Sequence, residues 1–157
     1  MPASNVSVSA QFSSATTTVT VTVLASANNS PIQNATVTVT GPNNVSASAT
    51  TGANGQASFQ LTLGYTYNFS ASASGYLSNS VSQYISGPTT IQIALTQPTL
   101  TVSASQGGDV VVTVDYTVYG TVSAGSSKSF TVPVGATVEL TAQPASGFKF
   151  EGWTGVP

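Results

Sequence analysis

Charge is what this chain has least of. Its 157 residues include two lysines and four acidic side chains, with no histidine. Charged residues make up 4% of the chain, where an ordinary domain carries about a quarter. Two cations and a net charge of −2 cannot neutralise a phosphate backbone, so nucleic acid is excluded as an electrostatic partner. The absence of histidine and cysteine removes the usual zinc ligand sets and any disulfide framework. It does not identify the compartment. No apolar run approaches the roughly 18 residues of a membrane span. Met1-Pro2-Ala3-Ser4-Asn5 has neither the basic stretch nor the apolar core of a signal peptide, so secretion would imply a mature chain or an excised piece with an added Met.

The few charges are also unevenly placed. Asp109 is the first, followed by Asp115, Lys128, Glu139, Lys149 and Glu151. General acid–base or nucleophilic catalysis needs a titratable group, an activated nucleophile or a metal, and residues 1–108 supply none of the charged candidates. Lys149 and Glu151, two apart, are expected as a surface pair on one strand face. Calcium would need several oxygen ligands. Asp109, expected in a turn, and Asp115, expected to point outward from a strand, are too few. No cofactor, metal site or enzymatic activity is therefore expected. Solubility must rest on hydroxyls, amides and sugars, a composition suited to a hot or acidic habitat.

What the chain has instead is alternation. Ala35, Val37 and Val39 alternate with threonines, and Ala57, Phe59, Leu61 and Leu63 with polar residues. A period of two puts each apolar set on one face of a strand. Asn54-Gly55, a pair that tolerates positive φ, predicts a tight hairpin turn ahead of the second set. The same pattern recurs at Val19, Val21 and Val23, at Tyr65, Tyr67, Phe69, Ala71 and Ala73, at Val81 to Ile85, and at Ile91, Ile93 and Leu95. Beyond Thr96-Gln97-Pro98, a short linker, it resumes at Leu100 and Val102. Val110, Val112, Val114, Tyr116 and Val118 are expected on one strand face, followed by Phe130 and Val132, then Val138, Leu140 and Ala142. Short strands at this spacing with Gly, Pro and Asn punctuation predict an all-β sandwich.

Two stretches are similar to known families. The run from Val19 to Leu95, through Pro31-Ile32-Gln33-Asn34-Ala35-Thr36-Val37, Thr51-Gly52-Ala53-Asn54-Gly55-Gln56-Ala57 and Ala73-Ser74-Gly75-Tyr76, resembles a carboxypeptidase regulatory-like (transthyretin-like) domain. The resemblance implies an immunoglobulin/transthyretin-like sandwich, a module found without catalytic function in surface proteins and secreted enzymes. Val134-Gly135-Ala136-Thr137-Val138-Glu139-Leu140-Thr141-Ala142 and Gly147-Phe148-Lys149-Phe150-Glu151-Gly152-Trp153-Thr154-Gly155 are similar to the internalin B-type repeat. That resemblance implies a second small β-domain of a kind that recurs in long surface proteins. In the family a further strand or two follow the Gly-Trp segment, so this domain is expected to be truncated at Pro157 or completed by another segment. The expected domains are 1–97 and 98–157.

Asn-x-Ser/Thr sequons occur at Asn5, Asn28, Asn34, Asn44 and Asn68, in turns or on the polar phase of strands, where N-glycans would stay exposed. Pro31, after the serine of its sequon, weakens Asn28. Tyr65, Tyr67, Phe69 and Tyr76 could form a sugar-stacking platform, but three share the apolar strand phase, which favours core packing. Tyr119 and Trp153 are open to either reading. The first domain has no charge with which to blunt its sheet edges. Those edges are expected to be covered by loops or sugars, or paired with other protein modules or copies of the same chain. Val6, Val8, Ala10 and Phe12 alternate with polar residues and are expected as the domain's own first strand; donation to a neighbouring sandwich is the alternative. The expected role is a non-catalytic extracellular structural or adhesive segment of a cell-surface or filament protein. The competing role is an accessory module of a large secreted hydrolase.

Overall fold

A computed structural model describes residues 5–155; Met1 to Ser4, tested above for a signal peptide, and the chain end at Val156-Pro157 lie outside them. Among the described residues the secondary structure is all strand. Seven strands come first: β1 (Thr16–Ala25), β2 (Thr36–Gly41), β3 (Val45–Thr50), β4 (Gln56–Thr62), β5 (Tyr65–Ser72), β6 (Asn79–Ile85) and β7 (Thr89–Leu95). They form a three-stranded sheet, β4-β1-β7, and a four-stranded sheet, β3-β2-β5-β6. β1 runs antiparallel to β4 and parallel to β7, which closes the sandwich between the first and last strands.

The alternation explains the layers. Val19, Val21 and Val23 of β1, Val37 and Val39 of β2, Phe69 of β5 and Ile93 and Leu95 of β7 are all fully buried in one cluster. Each side chain of this size removed from water contributes about 1.5–3 kcal/mol. The hydroxyls between them face out. Thr17 at the start of β1 and Thr51 are the exceptions, Thr51 being only 2% exposed. The Thr51 Oγ1 donates to the Ile32 carbonyl at 2.7 Å and accepts from Ala35 N at 2.9 Å, so a buried polar atom joins the turn before β2 to the crossing after β3.

The remaining strands are β8 (Thr99–Ser103), β9 (Gly108–Val114), β10 (Thr117–Val122), β11 (Ser127–Thr131) and β12 (Val138–Pro144). They form sheets β10-β9-β12 and β11-β8 around a separate buried cluster that includes Val102, Val112, Val114, Val122 and Phe130. Thr96 and Pro98 are tied on either side of the linker, by Leu77 N donating to the Thr96 carbonyl and Val132 N donating to the Pro98 carbonyl, each at 2.8 Å.

The structure corrects several expectations. Asn54-Gly55 does not close a hairpin, because β3 pairs with β2 while β4 pairs with β1 in the opposite sheet. The turn carries the chain across the sandwich. The hairpin lies one turn earlier, between β2 and β3, where Asn43 and Asn44 adopt φ of 60° and 61°. Val6 to Phe12 forms no strand, and residues 5–15 carry no regular pairing before β1. Val110 to Val118 is not one strand. Asp115 and Tyr116, with φ of 48° and 68°, form a two-residue turn between β9 and β10, and Tyr116 is left almost fully exposed. Asp109 and Asp115 therefore exchange their expected places: Asp109 lies in β9 and Asp115 in the turn. Lys149 and Glu151 lie outside any strand.

Two substitutions test this architecture. Gly55 has φ of 75°, and a Cβ there would lie 2.8 Å from the Val23 carbonyl oxygen and 2.9 Å from Pro31 Cβ. Gly55→Val should cost at least about 1 kcal/mol in urea unfolding, since a β-branched residue resists positive φ; unchanged stability would contradict the close crossing. Thr51→Val keeps the shape but leaves Ala35 N and the Ile32 carbonyl without the hydroxyl. A loss of about 1–3 kcal/mol is expected, the cost of unpaired buried polar groups. A neutral Thr51→Val would show that those groups find other partners.

Candidate functional site: an exposed arm and an open sheet edge

Residues 5–15 leave the sandwich as an arm. Its last residue is tied by Leu63 N donating to the Ala15 carbonyl at 2.9 Å, which continues the β1–β4 pairing. Upstream the apolar residues are bare: Val6 is 78%, Val8 91% and Phe12 93% exposed. An alternating apolar segment in water has a strand's pattern and, among the described residues, no strand to pair with.

Four strands flank the two sheets: β4 and β7 in one, β3 and β6 in the other. None of the seven strands carries a charge or a proline, the common devices against edge pairing. The edges differ, however, in what covers them. Along β7, Asn79 Nδ2 donates to the Ala94 carbonyl at 3.0 Å and Leu77 N to the Thr96 carbonyl just beyond. Among the described residues neither β7, at Thr90 and Gln92, nor β4 has such cover along its middle. Antiparallel pairing directs alternate residues outward. Val23 N donates to the Gly55 carbonyl, so the pairing register turns the backbone groups of Gln56, Ser58, Gln60 and Thr62 away from β1. The two ends are closed: the Gln56 carbonyl accepts from Gly52 N at 3.1 Å, and the Thr62 carbonyl from the Tyr67 hydroxyl at 2.8 Å. Ser58 and Gln60 remain between them.

Facing this edge is the inner side of β3. Ala49 and Ala47 lie opposite the buried Val37 and Val39, and directly opposed residues share a sheet face. Yet Ala47 is exposed, and Val45 and Ala49 are half-buried. Part of the sandwich interior is therefore open to solvent.

All five sequon asparagines are exposed. Asn5 is on the arm; Asn28, Asn34 and Asn44 are in turns, the last two with φ of 64° and 61°. Asn68 projects from the outer face of β5, within 3.4 Å of Ser70 and Ser82 hydroxyls. Of the aromatic set, Tyr67 and Phe69 are buried as expected, Tyr76 is half-buried, and Tyr65, at the start of β5, is 38% exposed.

Two of the four carboxylates serve the backbone. Asp109 accepts from Ala124 N and Asp115 from Thr137 N, each at 2.9 Å. Lys149 and Glu151 approach to 3.9 Å with both side chains mostly in water. Among the described residues no three His, Cys, Asp or Glu side chains come together as a metal site would require. An open cleft of about 570 Å³ lies beside β9 and β12, lined by Gln106, Asp109, Gln143, Phe148, Phe150 and Trp153. The Phe150 and Trp153 rings meet there at a tilt of 57° with centroids 4.8 Å apart, and the Phe148 ring covers Gly107.

The open edge of β4 was not legible in the sequence. Its signal is indirect: Val45-Ser46-Ala47-Ser48-Ala49-Thr50 has the period of a strand, but its apolar face is too small to fill a core.

A solved structure shares the fold. The Bacillus anthracis TIE protein matches over 80% of this chain with a TM-score of 0.55 and 15% identity. The chain spans only 28% of that protein's length. A DUF3823 family protein from Parabacteroides merdae matches over 83% of this chain and 82% of its own, with TM-score 0.47 and 12% identity. A streptococcal ancillary pilin matches over 82% and 50%, with TM-score 0.41 and 15% identity. No curated protein matches by sequence. Residues 110–156 match the divergent InlB B-repeat domain family. Residues 18–113, more than half of the chain, match the carboxypeptidase regulatory-like domain model and run on past Pro98 into β9; the chain belongs to the carboxypeptidase regulatory-like domain family.

Proposed function

We propose that this chain is a non-catalytic structural segment of an extracellular or cell-surface protein, and that it joins copies of itself by donating its N-terminal arm as a β-strand. The observation that carries the reading is the arm: Val6, Val8 and Phe12 present an alternating apolar face to water beside a charge-free sandwich with an open edge. Main-chain pairing supplies affinity in such an addition, and alternate side chains supply fit. Both membership in the carboxypeptidase regulatory-like family and the B-repeat match suit a module of larger surface proteins.

The division into 1–97 and 98–157 is part of the same proposal, supported by two buried clusters separated at the 96–98 linker. So is glycosylation at Asn5, Asn28, Asn34, Asn44 and Asn68. With so few charges, sugars on exposed asparagines would supply hydration over the outer face of β5 and the loops. None lies on β4. The mass of the protein from its native source should exceed that of the bare chain by whole glycans, removable at these asparagines; a native mass equal to the sequence mass would overturn the glycan proposal.

Assembly is tested by sedimentation of the full chain across a range of concentrations. The unaltered chain should form species larger than the monomer. A Val6→Asp/Val8→Asp variant, with charge on the arm's apolar face, should remain monomeric with unchanged circular dichroism. A chain that stays monomeric at high concentration, or an arm variant that assembles as well as the parent, would overturn strand donation.

A further inference from the structure

The structure assigns the acceptor: we infer that the arm of one copy enters the next along β4, as the fourth strand of the β4-β1-β7 sheet, with its apolar face over β3. This rests on the strand-donation reading and goes beyond it by naming the slot.

Three strands facing four leave one place empty, and it lies beside either β7 or β4. Beside β7 the C-terminal end is taken, because Leu77 N and Asn79 Nδ2 already bond the carbonyls of Thr96 and Ala94, and an added strand would lie over a β6 face that carries polar Asn79 and Gln83, in register with Ala71 and Tyr67. Beside β4 the edge is open. The outward backbone groups of Ser58 and Gln60 offer two donors and two acceptors, while Gly52 and the Tyr67 hydroxyl close the ends at Gln56 and Thr62. A strand added there would lie over Val45, Ala47 and Ala49, the side chains that stay wet although they belong to the inner face. Their small size is the complement of what the arm brings. Val6, Val8, Ala10 and Phe12 are one strand face, and larger side chains over alanines fill a layer that two large sets would overpack.

The occupant is a second copy because the tether at Ala15 leaves the arm short of reach to its own slot. To reach the free side of β4 the arm would have to pass the end of that strand, a lateral step of about 10 Å from β1 at the spacing of adjacent strands. At that end Leu63 is bonded to Ala15, and the chain turns through Gly64 towards the opposite sheet. With Ala15 tethered, only Ser13 and Ser14 separate it from Phe12, so the crossing would use nearly the whole extended reach of that stretch. Asn5 lies on the arm's polar phase with Ser7, Ser9 and Gln11, so a docked arm keeps that sequon on the outer face.

Complementation tests the slot. Ala47→Asp places a charge on the inner face of β3, at a position exposed in the free chain, and its circular dichroism should match the parent's. Ser58→Pro removes an outward N–H at an edge, where proline is tolerated, and is the second blocker. Each variant keeps the arm and loses the slot; the Val6→Asp/Val8→Asp chain keeps the slot and loses the arm. Alone, each should sediment as a monomer. Mixed in equal amounts, either blocker and the arm variant should form a capped dimer of twice the mass that does not grow further. If Ala47→Asp and Ser58→Pro assemble like the parent while the arm variant does not, the arm is donated elsewhere and this acceptor is overturned with strand donation intact. Monomeric singles whose mixture also stays monomeric overturn the slot as well. Assembly of the arm variant alone would overturn strand donation itself.

Discussion

Two sheets can dry each other's inner faces only where both have strands, and here a three-stranded sheet faces a four-stranded one. The centre of the sandwich closes well: Val19, Val21 and Val23 lie between the sheets with no exposure. Towards β3 the cover runs out. Ala47 stands in register with buried Val39 and is nonetheless in solvent. Replacing that wall with large apolar residues would expose a patch costly to a free chain, whereas alanines limit the cost and leave room for an incoming strand. Under the proposed strand donation, the composition of β3 and the bare arm both follow from one missing place in a sheet.

The chain meets its polar requirements with almost no ions. The Thr51 hydroxyl inside the sandwich, the Tyr67 hydroxyl at the Thr62 carbonyl and the asparagine side chains at the turns do what capping carboxylates and salt bridges do elsewhere. Among the described residues no buried side-chain nitrogen or oxygen lacks a partner. The same economy leaves the first sandwich without the lysines that usually discourage edge pairing. For a monomer this is a hazard. For a module that joins by its edges it is a condition of assembly.

Much of this was legible in the sequence, because a period of two is a property of the residues themselves. β1, β2, β4, β5 and β7 appear where Val, Phe, Leu and Ile alternate with Thr, Ser and Gln. Tyr67 and Phe69 were expected in the core and are there, whereas Tyr65, on the same phase, sits at the start of its strand and stays partly in water. Alternation does not say which strand is a neighbour. Asn54-Gly55 has the conformation its composition suggests, with Gly55 at positive φ, but the turn leads to the other sheet. The Asp115-Tyr116 turn was hidden because tyrosine kept the apolar phase through the corner. The arm has a strand's pattern and no strand, since pairing requires a free edge within reach.

The most direct test of the account is hydrogen exchange at the amides of Ser58 and Gln60, measured in the assembled protein and in the dilute monomer. Both point away from β1, so in the monomer they should exchange as unpaired edge amides while Phe59 and Leu61 are protected. In the assembly, slowing of Ser58 and Gln60 by orders of magnitude, together with new protection between Val6 and Phe12, is the predicted result. Equal rates at Ser58 and Gln60 in the two states would contradict the pairing of the arm with β4.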